Sequence, residues 1–491
     1  MVAGLAFAAF SVSAFAAADI RNGDFESFDA GGKPEGWYVL APFRIERGVG
    51  FDGSAGALCE RSSPSDANGV CSQSAPVESG ATYHFGAWVK AESVSGSGPA
   101  FVTVGWRDSA GTYLGESRSI SVRKETDGWM FVDGYTPPMP ENVATAQLGL
   151  NVSDSLAGRF AFDNVFYERF VAAPVVGVYC DAYRNEASEG EVTFAASLTP
   201  ETFPEDGGPV AATFEVAGAD GSRFAAEGAF AAADEARMTF EVARFPVGTN
   251  DVSCVLRAGD RLLGSASMTF VRLAEPASRK VTFDRFGRTV VNGRPFFPLG
   301  MYTGQMTGDS LAIYRESAFN CLMQYGSPTP EQMQMFRSSG IKVIYDITTQ
   351  YATADRGSNN VIWAVNKYKG DSSLLAWYAF DEQPTSMVPA LEGRRGLIAS
   401  LDPDHPVWCA QDIPGETRHY VGSVDVFGCD PYPVSSRPVS TVTDAMRMER
   451  AGLMGMRPIW QVVQGFCWEW HTSLRPEREP TEQELSKEMD I

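Results

Sequence analysis

Two β-sandwiches followed by an α/β barrel of the (β/α)₈ type is the fold class the sequence predicts. Three observations predict it. Short runs of alternating apolar residues bounded by turn residues recur from about residue 19 to residue 276. From about residue 279 onward, longer apolar runs alternate with amphipathic stretches, which is the pattern of a parallel sheet with crossover helices. The chain has 491 residues, 44% of them hydrophobic, enough for three separate cores. The expected boundaries are residues 1–18 for an export signal, 19–170 for the first sandwich, 171–276 for an immunoglobulin-like sandwich and 279–491 for the barrel.

Composition narrows the partners. A formal net charge of −21 and a pI near 4.7 argue against nucleic acid and against anionic membrane surfaces. Residues 2–15 are almost wholly apolar and run into Ala16, Ala17 and Ala18, as in a secretory h-region with its cleavage site, although no Lys or Arg precedes Arg21. That run is short for a membrane span and no other candidate span appears. A secreted, periplasmic or cell-surface location is therefore expected. In such a compartment Cys59 with Cys71, and Cys180 with Cys254, are candidate disulfides. Cys321, Cys409, Cys429 and Cys467 lie on or just after apolar strands of the third region and read as buried small hydrophobes. The scattered His84, His405, His419 and His471 make a zinc site improbable.

In the first region, strand-like runs at residues 83–89, 100–106, 129–132, 146–152 and 159–167 suggest an all-β sandwich. Alternation along 83–89 puts Tyr83, Phe85 and Ala87 on one face and His84 and Trp88 on the other. The opening Asn22-Gly-Asp-Phe-Glu26, the later Pro34-Glu-Gly-Trp37 and the closing Phe162-Asp-Asn-Val165 together resemble jelly-roll carbohydrate-binding modules. The resemblance implies sugar binding on aromatic faces, for which Trp37, Trp88, Trp106 and Trp129 are the available platforms. It also implies a structural calcium near the first and last strands, with Glu26 and Asp163 as the candidate side-chain ligands. No cofactor is expected for catalysis.

The second region continues with β-type runs at residues 175–180, 191–195, 211–216, 238–242, 251–256 and 265–270, and no Trp marks its core. It reads as a spacer between the first and third regions.

The third region opens with a hairpin signal at Asn292-Gly293. Seven apolar runs follow, at residues 296–301, 320–325, 341–347, 374–380, 406–411, 424–429 and 457–466. Between the second and third lies a helix signal, residues 329–340, beginning Thr-Pro with Glu331 in the first turn and ending at Gly340. After the seventh run, residues 481–487 look like the start of a helix and no eighth strand follows, so a barrel incomplete at its C-terminal end is expected.

The run from Leu374 to Phe380 ends in Asp381-Glu382, with Pro384 forbidding further strand. In a parallel barrel the C-terminal strand ends form the active face, and a carboxylic acid there is placed to protonate a leaving group. The same pair is equally suited to capping the next helix. The segment Asn292-Gly-Arg-Pro-Phe-Phe-Pro-Leu-Gly300, entering a barrel behind β-sandwiches, resembles barrel glycoside hydrolases related to β-galactosidases. That resemblance implies hydrolysis of glycosidic bonds in a polysaccharide or oligosaccharide. Glu382, at the end of strand four, takes the place of the acid/base, with Asp381 where the clan usually has Asn.

The clan's nucleophile, a Glu ending strand seven, is matched here by Gln464, whose amide cannot form a glycosyl-enzyme ester. Asp430 is the first candidate for the second carboxylate and Asp346 the second, with Glu469 further behind. Tyr302, Tyr325, Tyr378, Tyr432, Trp468, Gln324, Gln411 and Gln464 lie at or near strand ends and are candidate sugar contacts, with barrel-mouth packing as the alternative for each. A glycan-binding protein that does not cleave remains the alternative reading of the whole.

Overall fold

The structure, a computed structural model, describes residues 20–489 apart from 65, 67–68, 205–208, 349–353, 435 and 468–477. The expected export signal and Trp468, Glu469 and Trp470 lie outside the described residues. One compact unit runs to Ala172; the second comprises most of the rest of the chain, from Ala173. No helix among the described residues is long and apolar enough to cross a membrane.

The first unit is a sandwich of two antiparallel five-stranded sheets. In order across the first sheet are Tyr38–Leu40, Val70–Ala75, Val143–Val152, Ala100–Asp108 and Tyr113–Arg118; across the second, Phe43–Arg47, Ala55–Arg61, Leu156–Phe170, Thr82–Gly96 and Met130–Tyr135. Tyr83, Phe85, Ala87 and Val89 are buried between the sheets with Val102, Leu148, Phe160 and Phe162, as the alternation predicts. Trp37 and Trp106 are buried in this core, so they are not sugar platforms. Trp88 packs on the opposite face against Phe51 and Phe131, with ring centroids 5.0 and 5.4 Å away. The strands before residue 82 escape the sequence reading because Tyr38–Leu40 and Phe43–Arg47 are only three and five residues long, and Ala55–Arg61 and Val70–Ala75 are rich in Ala, Ser and Cys rather than in β-branched or aromatic residues.

The second unit begins with another two-sheet sandwich. One sheet holds Val175–Cys180, Glu191–Leu198, Glu235–Glu241 and Ala229–Ala232, the other Glu186–Ala187, Arg261–Arg272, Gly248–Ala258, Val210–Ala217 and Arg223–Glu227. Phe194, Phe240, Phe245 and Phe270 interlock at its centre with centroids 4.8–6.1 Å apart, filling the place a Trp would take. No disulfide forms among the described residues. All eight cysteines are buried free thiols, acting as small hydrophobes in the two sandwiches as well as in the third region.

Seven parallel strands follow: β1 (Gly300–Thr303), β2 (Cys321–Gln324), β3 (Lys342–Asp346), β4 (Leu374–Asp381), β5 (Val407–Ala410), β6 (Phe427–Cys429) and β7 (Ile459–Gln461). β1 to β5 pair in sequence order, β6 pairs with β7, and the bridges Trp408–Val426 and Gln411–Cys429 join the two sets. No pairing of β7 with β1 occurs among the described residues. The observed arrangement is therefore a sequential series of seven parallel strands, and a closed eight-stranded barrel is not seen.

Local chemistry explains the connections. Asn292 and Gly293 take φ of 49° and 76° in the hairpin turn, and Thr329 with Gln332 forms a capping box ahead of the helix Pro330–Ser339, which stops at Gly340 with φ 77°. The hairpin meets the N-terminal end of the strands: Val281 N–H donates to Asp404 O and Trp460 Nε1–H to Thr289 Oγ1 (both 3.0 Å). That leaves the C-terminal strand ends for a site.

Asp425, just before β6, is buried and binds three elements. It accepts from Val407 N–H at 2.9 Å, from Arg395 on the helix Val388–Leu401 at 2.7 and 2.9 Å, and pairs with Arg184 of the second sandwich at 3.2 Å. Burial alone would raise its pKa, but the two guanidinium groups outweigh that and hold it at about 2. Asp425→Ala leaves two guanidinium groups unpaired and should cost about 3–5 kcal/mol, read as a lower thermal midpoint of the second unit. Because the folded pKa lies below the unfolded one, this stabilisation is complete above about pH 4 and lost as pH falls toward about 2. The variant should therefore lose less of its midpoint over that window than the wild type does.

Candidate active site

The site is built where β4 ends. Across the β4–β5 ladder, Trp377 pairs with Val407 and Tyr378 with Trp408, but Phe380 pairs with Cys409, so Ala379 is an extra residue. This bulge changes which face each side chain takes. Phe380 joins the outer apolar layer with Trp377 and Cys409, while Tyr378 belongs to the inner layer with Met323, Ile344 and Trp408. Past the bulge, Asp381 lies on the Tyr378 side, and that residue acts to lower its pKa.

Glu382 follows in the left-handed region at φ 43°, a conformation a non-glycine residue holds only when its surroundings impose it. They do so through backbone bonds. Glu382 N–H donates to Ala410 O at 3.0 Å, and Gln383 O accepts from Gln411 Nε2 at 2.8 Å and from the Tyr420 hydroxyl at 2.6 Å. The Glu382 side chain is left exposed at the strand end.

Carboxylates converge there. Asp430, at the end of β6, is only 4% exposed, and its Oδ1 meets no hydrogen-bond partner among the described residues. Burial, then Glu382 and Asp381, push its pKa up to about 7, while Tyr432 acts in the opposite direction. Glu382 is raised by partial burial and by Asp412 and Asp381. Asp381 is raised by burial and by Asp346 and Asp412, with Tyr378 lowering it. The half-exposed Tyr325 feels Asp381, Asp430, Asp346 and Glu382 together, which places it among them. Behind Asp430, the buried carboxyl of Glu449 lies against the Cys429 thiol, and burial, with Asp430 adding, pushes its pKa up to about 8.

An aromatic column stands beneath the carboxylates. Tyr302 meets Tyr325 at 5.3 Å and Trp408 at 6.0 Å, and Tyr378 meets Trp408 at 4.9 Å. Tyr432 packs edge-on against Phe466 at 4.9 Å. The structure thus brings Asp381, Glu382, Asp430, Tyr302, Tyr325, Tyr378 and Tyr432 together.

Other predicted site residues are committed elsewhere. Asp346 accepts from Gly326 N–H at 2.8 Å with one oxygen and from Thr348 N–H and Oγ1–H at 2.8 and 2.7 Å with the other, so it ties the ends of β2 and β3. Gln324 accepts from Met306 N–H and donates to Gln332 Oε1, both at 3.0 Å. Gln411 holds Gln383 O. Gln464 is fully buried, accepting from Val434 N–H at 2.8 Å and donating to Val434 O at 2.6 Å.

Two residues escape the sequence reading. Asp412 acts on Glu382, Asp381 and Asp430, and its signal resembles that of Asp381: an apolar strand followed, after Gln411, by a carboxylate. Trp408 sits mid-strand, where nothing in sequence distinguishes an inward from an outward side chain.

In the first unit the two predicted calcium ligands converge on one turn. Glu26 Oε1 accepts from Ala55 N–H at 2.5 Å, and Asp163 Oδ2 accepts from Phe51 N–H at 2.7 Å and Ser54 Oγ–H at 2.9 Å. Asp163 is raised by burial, with Asp24 adding, and neither carboxylate has an ion pair among the described residues. Asp163 Oδ1 also accepts from Asn164 N–H at 2.6 Å, and no group of three His, Cys, Asp or Glu placed for a metal occurs among the described residues.

No protein family and no curated protein matches the chain. Among solved structures it is similar to β-glucuronidases from Bacteroides uniformis (11% identity, 93% of this chain, 61% of that one, TM-score 0.35) and Parabacteroides merdae (13%, 81%, 54%, 0.31). It is also similar to a GH2 β-galacturonidase from Eisenbergiella tayi (13%, 87%, 82%, 0.33). The chain spans less than two thirds of the two glucuronidases, and scores this low fall short of a shared fold. The site is therefore read from its own residues.

The hydrogen bonding of Gln464 makes a prediction. A carboxylate there has no N–H to give to Val434 O and would face it instead. Gln464→Glu should lower stability by about 1–3 kcal/mol in chemical denaturation without gaining hydrolysis of any aryl glycoside.

Proposed function

We propose that the second unit hydrolyses glycosidic bonds, with Glu382 as general acid/base and Asp430 as the second carboxyl group. The observation that supports this most is the Asp430 carboxyl, buried beside Glu382 and Asp381 and pushed up to about 7. Neighbouring carboxyl groups with separated ionisation hold one proton and one charge at the same pH, which is what acid-assisted glycoside cleavage needs. The proton titrates as a property of the pair rather than of one residue. Tyr325 and Tyr432 supply ring faces for a sugar, and Tyr378 steadies Asp381.

A binding-only reading is favoured by one specific observation. The position matching the clan nucleophile is occupied by Gln464, and its amide is consumed by the Val434 backbone. The two readings part on turnover.

The proposal extends to the first unit as a jelly-roll sugar-binding module carrying a structural calcium at Glu26 and Asp163, and to export of the protein to a secreted, periplasmic or cell-surface location.

Activity on a neutral aryl glycoside should fall as pH rises through about 7, because Asp430 then loses the proton the pair retains. Asp430→Asn should lower kcat by about 10²–10⁴-fold and remove that basic limb from the residual rate. Glu382→Gln should lower kcat by about 10²–10⁴-fold. A wild-type protein that binds oligosaccharides but turns none over would leave the binding-only reading. For the calcium, chelation should lower the thermal midpoint of the first unit and added Ca²⁺ restore it, with Asp163→Ala insensitive to both. A midpoint indifferent to chelator sinks the calcium assignment.

A further inference from the structure

The carboxylates at the β4–β6 ends outnumber what hydrolysis uses. A two-carboxylate mechanism employs Glu382 and Asp430. Asp346 is spent on its turn. Asp381 and Asp412 remain, and both act electrostatically on Glu382 and on Asp430.

Among the described residues none of Asp381, Glu382, Asp412 and Asp430 forms an ion pair, and no Lys or Arg appears among the groups acting on Asp381, Glu382 or Asp430. Elsewhere in the same unit the buried Asp425 is paired with two guanidinium groups, those of Arg184 and Arg395. Like charges at close quarters are unfavourable unless something compensates them. Independently of this charge, Asp430 is almost fully buried and its Oδ1 has no hydrogen-bond partner among the described residues.

Resting on the hydrolase reading above, we propose that the glycan this site takes carries protonated amino groups, as a glucosamine oligomer does, and not uronate groups. An ammonium brings three donors and no acceptor, matching a set of carboxylates short of donors. A uronate would need a guanidinium or ammonium to meet its own carboxylate, and the described lining offers none. The half-exposed ring of Tyr325, set among the acids, gives the sugar an apolar face and the ammonium a π face.

Calorimetric binding to the full chain at about pH 6 tests this, with tetramers of glucosamine, N-acetylglucosamine and galacturonic acid as probes. The glucosamine tetramer should bind at least about tenfold more tightly than the N-acetylated one, and the galacturonate should bind most weakly. The preference should shrink in high salt. Asp412→Asn should reduce it about five- to tenfold. Equal or tighter binding of the N-acetylated or galacturonate tetramer overturns the proposal and leaves the hydrolase reading standing. A preference unchanged in both Asp412→Asn and Asp381→Asn places the amine elsewhere on the protein and also overturns it. Failure of every glycan, charged or neutral, to bind the wild-type chain sinks the hydrolase reading itself. If a variant fails to fold, shown by its thermal midpoint, the charge order of the wild type still decides.

Discussion

The ion pairs of Asp425 are what the second unit depends on. One carboxylate with no solvent contact is held by guanidinium groups from the sandwich and from a helix of the α/β region, and by the backbone of β5. Arg457 adds to this seam by donating to Cys180 O at 2.9 Å and to Val424 O at 3.0 Å. Buried charges of this kind add little net stability over an apolar packing, but breaking one partner is costly, so they fix one arrangement against others. The sandwich is thereby bound to the strands β5 to β7, whose ends carry Asp412, Asp430 and Gln464. A spacer in the sequence becomes a buttress in the structure.

The site handles charge in the opposite way. Asp425 has its cations; the acids around Asp430 have none among the described residues. The difference follows from position. Asp425 sits at the start of a strand, where helix and sandwich supply arginines. Asp430 sits at the other end, where loops arrive from β4 and β5 carrying acids of their own. The bulge at Ala379 sharpens this by turning Asp381 toward the inner layer and leaving Glu382 in a left-handed turn. Backbone strain at Glu382 thus stands beside the unrelieved charge of Asp381 and Asp430.

Seven parallel strands, the Asn292-Gly293 hairpin and the helix after Thr329 were legible because each rests on a local cause: a continuous apolar run, a turn that needs positive φ, a capping box. The Asp381-Glu382 pair was legible because a strand that ends in carboxylates is unusual in a buried sheet. Less was legible where a side chain's role depends on distant partners. Gln324, Gln411 and Gln464 look alike in sequence as polar groups at strand ends, yet each is consumed by backbone or amide partners brought near by folding. The candidate disulfides failed for a related reason. Spacing shows which cysteines share a region, whereas burial in a close-packed core decides that they serve as apolar filling.

By itself the sequence determined that antiparallel β runs come before the parallel α/β pattern and that carboxylates end β4, since these follow from periodicity and from what Pro, Gly and Asn allow the backbone to do. Only the tertiary structure decided which acids meet. One extra residue in a ladder set the face of Asp381, the approach of β5 and β6 brought in Asp412 and Asp430, and a single buried aspartate held those strands against the sandwich. These are facts of register and packing, and they arise between segments that no local pattern connects.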